Sequence, residues 1–70
     1  MSFYEIFQKK NIGKKYNMYI KEDNLKERVF LELESGVLHL YINRTSGKKD
    51  VEKYYSLMNI VNAKYELIIK

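Results

Sequence analysis

The sequence predicts an α+β fold: a short N-terminal helix, a three-stranded antiparallel meander, and a C-terminal helix packed on the sheet. Residues 64–69 form either a fourth strand or an extension of that helix. Three observations carry this expectation. Val29, Leu31 and Leu33 alternate with polar or aromatic neighbours, as do Leu38, Leu40 and Ile42 beyond Ser35-Gly36. That period of two is what a half-buried strand requires. Tyr16, Met18 and Ile20 alternate in the same way upstream, whereas Val51, Tyr54, Met58 and Val61 recur at helical spacing, with Tyr55, Leu57 and Ile60 widening the stripe.

The first helix spans Ser2 to Lys10. Ser2 and Glu5 have the spacing of a capping box, and Phe3, Ile6 and Phe7 fall at helical intervals. Lys9 and Lys10 occupy the last turn, where positive charge is favourable, and Asn11 and Gly13 can end it.

Lys15 to Lys21 is the first strand, and Glu22-Asp23-Asn24 a polar turn whose side chains bond to local backbone. Leu25 to Glu27 leads into a hairpin over Arg28 to Asn43. With Ser35-Gly36 as a two-residue turn, Leu33 pairs with Leu38, Leu31 with Leu40 and Val29 with Ile42. The other face then pairs Glu32 with His39, Phe30 with Tyr41 and Arg28 with Asn43. A slip of one residue would scramble both sets.

After the hairpin comes a basic loop, Arg44 to Lys49. Asp50 is a good N-cap for a helix reaching at least Val61. Tyr65 and Ile68 continue its stripe, but Asn59 and Asn62 are poor helix formers, and Tyr65-Glu66-Leu67-Ile68-Ile69 suits a strand.

With 70 residues and no cysteine, the chain makes one domain without disulfide or thiolate–metal support. One core of this size gives about 3–5 kcal/mol. No apolar run approaches the roughly 20 residues that span a bilayer, and the first residues do not resemble a signal peptide. The expectation is a cytoplasmic protein with no membrane contact. Abundant Lys, Asn, Ile and Tyr with little Arg suit an AT-rich genome, such as that of a low-GC bacterium or its phages. Asn43-Arg44-Thr45 matches a glycosylation sequon, which has no meaning without secretion.

Nothing in the sequence assembles a catalytic centre, a metal site or a cofactor site. His39 is the only histidine, and its cross-strand partner is Glu32. The informative feature is the second face of the sheet, where Tyr19, Phe30 and Tyr41 form a band flanked by Lys15, Lys21 and Arg28. Such a band suits a protein interface or the bases and phosphates of a single strand. Alternatively, the first helix or a second copy of the chain, as a homodimer, covers it as ordinary core. Ser46-Gly47-Lys48-Lys49 lacks the glycine and hydroxyl of a P-loop, which leaves Arg44, Lys48 and Lys49 as an anion or nucleic-acid contact. Positive charge falls in two clusters, Lys9–Lys15 and Arg44–Lys49, at opposite ends of a meander, whereas nucleic-acid binders concentrate it. The expected function is therefore a noncatalytic binding protein, a small regulator or inhibitor that covers a surface of a larger protein. A basic single-stranded or nonspecific nucleic-acid-binding protein is the alternative.

Overall fold

The computed structural model describes residues 1–22 and 24–69. Asp23, in the expected polar turn, lies outside them. The fold is α+β, with an antiparallel sheet of five strands rather than three, and two short helices. The strands are β1 (Lys15–Ile20), β2 (Leu25–Glu34), β3 (Val37–Arg44), β4 (Gly47–Asp50) and β5 (Lys64–Leu67). Their order across the sheet is β4-β3-β2-β1-β5.

The central hairpin has the expected register, from Glu34 opposite Val37 to Val29 opposite Ile42. Ser35 and Gly36 both have positive φ, +51° and +78°. This is the type I′ geometry, whose twist matches the flanking strands. Leu25 to Glu27, expected as a lead-in, belong to β2 and pair with β1, Ile20 opposite Leu25 and Lys15 opposite Phe30.

The expected basic loop is a second tight hairpin. Arg44 faces Gly47 across Thr45-Ser46, and pairing continues to Tyr41 opposite Asp50. Backbone hydrogen bonds hold β4, so its Gly-Lys-Lys-Asp sequence shows none of the apolar alternation of a strand.

The long C-terminal helix is also replaced. Asp50 does cap, its Oδ1 accepting the Glu52 N–H at 3.0 Å, but only for one 3₁₀ turn, Val51–Lys53. Ser56 then starts α2 (Leu57–Asn62), its Oγ accepting the Asn59 N–H at 3.2 Å. A serine inside the run thus captures a backbone amide and divides it. Of the expected stripe, Val51 and Ile60 do enter the core, joined by Ala63, whereas Tyr54 is 51% and Met58 73% exposed. Residues 64–67 form the strand alternative, β5, which pairs with β1 from Tyr19 opposite Lys64 to Tyr16 opposite Leu67.

At the N-terminus the capping box forms: Ser2 Oγ accepts the Glu5 N–H at 3.2 Å, and the Ser2 N–H donates to Glu5 Oε1 at 2.8 Å. Helix α1 is shorter than expected, Phe3–Ile6. Buried Asn11 ends it, donating from Nδ2 to the Ile6 carbonyl at 2.9 Å.

Alternation along the strands gives the sheet two faces. Tyr16, Met18, Ile20, Val29, Leu31, Leu40, Ile42 and Tyr65 form the covered face, buried under Ile6, Val51, Ile60 and Ala63. Burying each aliphatic side chain contributes roughly 1.5–3 kcal/mol. Tyr65 donates its hydroxyl to the Ile60 carbonyl at 2.6 Å, tying β5 to the end of α2. The path from β4 to β5 crosses the whole covered face. Glu27 clamps it, one carboxylate oxygen accepting Arg44 Nη2 at 2.8 Å and the Tyr55 hydroxyl at 2.5 Å. The Arg44 guanidinium also lies 4.9 Å from the Tyr54 ring centroid.

Candidate functional site

The second face of the sheet carries no helix, and its residues fall into cross-strand rows. The middle row reads Lys15, Phe30, Tyr41, Asp50. On one side lie a row of Glu66, Asn17 and Arg28, with Asn43 and Lys48 beyond them, and a row of Lys64, Tyr19 and Lys26. On the other side lie Glu32 opposite His39 and Glu34 opposite Val37, toward the Ser35-Gly36 turn.

These rows break the expected aromatic band. Phe30 and Tyr41 do pair, with ring centroids 5.9 Å apart. Tyr19 stands four residues along β1 from the Lys15 that faces Phe30, which is about 13 Å at strand rise. The four-residue β1–β2 turn sets this register. Asn17 and Arg28 fill the gap.

Tyr41 is 6% exposed and belongs to a polar cluster of the fold. Its hydroxyl donates to Glu34 Oε2 at 2.5 Å, and Lys48 Nζ sits 4.6 Å above its ring while donating to Glu32 Oε1 at 2.6 Å. The Glu34 bond, with partial burial and the surrounding carboxylates, pushes the Tyr41 hydroxyl up to about 12. The same bond, aided by Lys48, holds the Glu34 carboxyl below its ordinary value. Bonding to Glu32 raises the Lys48 ammonium.

His39 is not held by Glu32, which is taken by Lys48. Its Nδ1 meets Asp50 Oδ2 at 2.9 Å instead. That contact orients an imidazole, yet among the described residues no hydroxyl bonds to the other ring nitrogen. No group of three or more His, Asp or Glu side chains is placed to hold a metal ion among them either.

The expected anion contact, Arg44, Lys48 and Lys49, does not form. Arg44 is on the covered face with Glu27, Lys48 is bonded to Glu32, and Lys49 is half-buried opposite Ile42. A helix N-terminus was assumed behind a loop, and a strand stands there.

The remaining cations gather elsewhere. Lys26, Arg28 and Lys64 are exposed on the open face around Tyr19, Lys15 is exposed farther along β1, and Lys21 is exposed in the adjoining turn. None forms an ion pair with a described residue. Tyr19 is 37% exposed, with its hydroxyl 3.4 Å from Glu66. Half of the open face is thus basic, amide-bearing and aromatic, and the half toward the Ser35-Gly36 turn is acidic. Lys26 and Lys64 were missed in the sequence. The alternation Lys26, Arg28, Phe30 could have revealed the first; the second depends on β5 lying beside β1.

Among the described residues no helix is long and apolar enough to cross a membrane. Comparison of the chain with protein-family models, with curated proteins and with solved structures finds no match.

Proposed function

We propose that this is a noncatalytic binding protein whose working surface is the basic half of the open sheet face, and that it binds single-stranded nucleic acid. One observation carries the reading. Lys26, Arg28 and Lys64 lie around Tyr19, with Lys15 farther along β1 opposite Phe30, on a face that no described helix covers and without ion-pair partners among the described residues. Support comes from a set of cations other than the two sequence clusters, gathered on one face by the pairing of β1 with β2 and β5. Arg44 and Lys48 are consumed internally, while β5 adds Lys64 to the β1–β2 cations. An exposed ring among unpaired ammonium groups suits bases and phosphates together. Lysines predominate over arginine here, which suits backbone attraction better than bidentate base reading.

Fluorescence anisotropy with a labelled twelve-nucleotide oligothymidylate tests this. Micromolar binding at low salt is expected, with log K falling against log salt at a slope of about −2 to −3 for three or four neutralised phosphates. Arg28→Ser with Lys15→Ser should weaken it about tenfold while leaving the circular dichroism spectrum unchanged. Absence of binding at low salt would remove the reading.

A second reading is favoured by a different observation. On the covered side, Leu57 is exposed at the edge of a groove of about 200 Å³ lined by Phe3, Phe7, Leu38, Leu40, Val51 and Ile60. An exposed aliphatic side chain beside an apolar groove suits a protein contact, as for a small regulator or inhibitor that covers a larger protein. Leu57→Lys separates the two readings. It should abolish such a contact and leave oligonucleotide binding unchanged.

A further inference from the structure

Where β1 turns into β2, the sheet ends in a hollow of about 390 Å³. Lys21, Lys26 and Lys64 line it together with Tyr19, Asn24 and Asn62, and Ile20 and Leu25 supply its apolar part. Lys64 comes from β5 and Asn62 from the last residue of α2. The chain therefore gathers these groups from two stretches far apart in sequence, 19–26 and 62–64. No ion pair joins any of the three ammonium groups to a described residue. Like charges around one concavity repel, and an anion of matching charge relieves that repulsion. Asparagine amides are neutral donors that can reach anionic oxygens the ammonium groups leave free. Tyr19 adds an exposed π-face at the rim.

We propose that this hollow holds one phosphate group of a nucleotide, with the attached base against Tyr19; the assignment rests on the single-strand reading above. Three flexible point charges hold a phosphate without dictating its orientation, as a site indifferent to sequence requires. A free mononucleotide and one unit of a strand present the same chemistry, so the test uses both.

The full chain, labelled with ¹⁵N, is titrated with inorganic phosphate, thymidine monophosphate and the twelve-nucleotide oligothymidylate. The mononucleotide should shift the amides of Tyr19, Lys26 and Lys64 at millimolar concentration and bind more tightly than phosphate. Tyr19→Ser should erase that preference. Lys26→Gln with Lys64→Gln should weaken oligonucleotide binding about tenfold and make its salt slope shallower by roughly 1.4. Both lysines are exposed, and circular dichroism verifies the fold. If the double variant keeps wild-type oligonucleotide affinity, or the mononucleotide shifts residues elsewhere, the hollow is overturned while strand binding stands. Phosphate binding as tightly as the mononucleotide would overturn the role of Tyr19. A mononucleotide seated in the hollow with no oligonucleotide binding would sustain the site and sink the strand reading.

Discussion

Arg44 reaches from the end of β3 to Glu27 on the covered face, where Nη2 and Oε2 lie 2.8 Å apart. The pair is partly sheltered, with side-chain exposures of 38% and 16%, so it is screened less than a surface pair. Glu27 also receives the Tyr55 hydroxyl, which makes it the point where the crossover segment is fastened to the sheet.

Replacing Glu27 by Ala should therefore cost more than an exposed ion pair. It removes the carboxylate that the guanidinium faces and the bond that Glu27 accepts from the Tyr55 hydroxyl. A loss of roughly 2–3 kcal/mol is expected, read as a fall in the urea midpoint. Since Arg44 Nε is already buried without a hydrogen-bond partner among the described residues, Arg44→Met, which keeps much of the length and removes the charge, should cost less than Glu27→Ala.

The Tyr41–Glu34 contact gives a pH dependence with two edges. Glu34's carboxyl is held below 4.5, so the stability it adds is complete above that value and disappears as pH falls through the lowered one. Tyr41 is raised from 10.0 to about 12, so its contribution is complete below 10.0 and disappears as pH rises to about 12. The difference in thermal midpoint between wild type and Tyr41→Phe should be widest between 4.5 and 10.0 and shrink on both sides. A difference independent of pH would show that the hydroxyl contact contributes nothing.

Ser35 occupies a left-handed position that asparagine adopts more readily. Ser35→Asn should stabilise the hairpin by roughly 0.5–1 kcal/mol, measurable by chemical denaturation. Gly36→Ala, at φ +78°, should destabilise it by about 1 kcal/mol.

Tyr65→Phe tests the link between α2 and β5. The hydroxyl is buried and bonded to the Ile60 carbonyl, one of the acceptors that a short helix cannot satisfy itself. A loss of about 1–2 kcal/mol is expected. Burial also raises the ionisation of this hydroxyl well above its ordinary value, so its tyrosinate absorbance should emerge only as the chain unfolds in alkali.

These residues show what could be read from the sequence. The central hairpin was legible to the residue because two apolar periods and one turn have to agree. The Ser2–Glu5 box was legible because it is wholly local. Strand β4 was not, since its Gly-Lys-Lys-Asp run takes its conformation from pairing with β3. Val51, Tyr54, Met58 and Val61 mimic a helix by spacing, yet the run is divided by the preference of Ser56 for a cap. The candidate surface suffered most. Phe30 and Tyr41 pair as their spacing implied, but the role of Tyr19 depends on the β1–β2 register and on β5. Neither is written in local alternation.

The crossover from β4 to β5 also orders events in time. The three tight connections of the meander close between neighbours in sequence and can form early. Pairing of β5 with β1 joins residues as distant as Tyr16 and Leu67, and closing so long a loop is slow. Lys64 meets Tyr19 only through this longest-range pairing of the sheet, so the basic surface around Tyr19 exists only where both ends of the chain are in place.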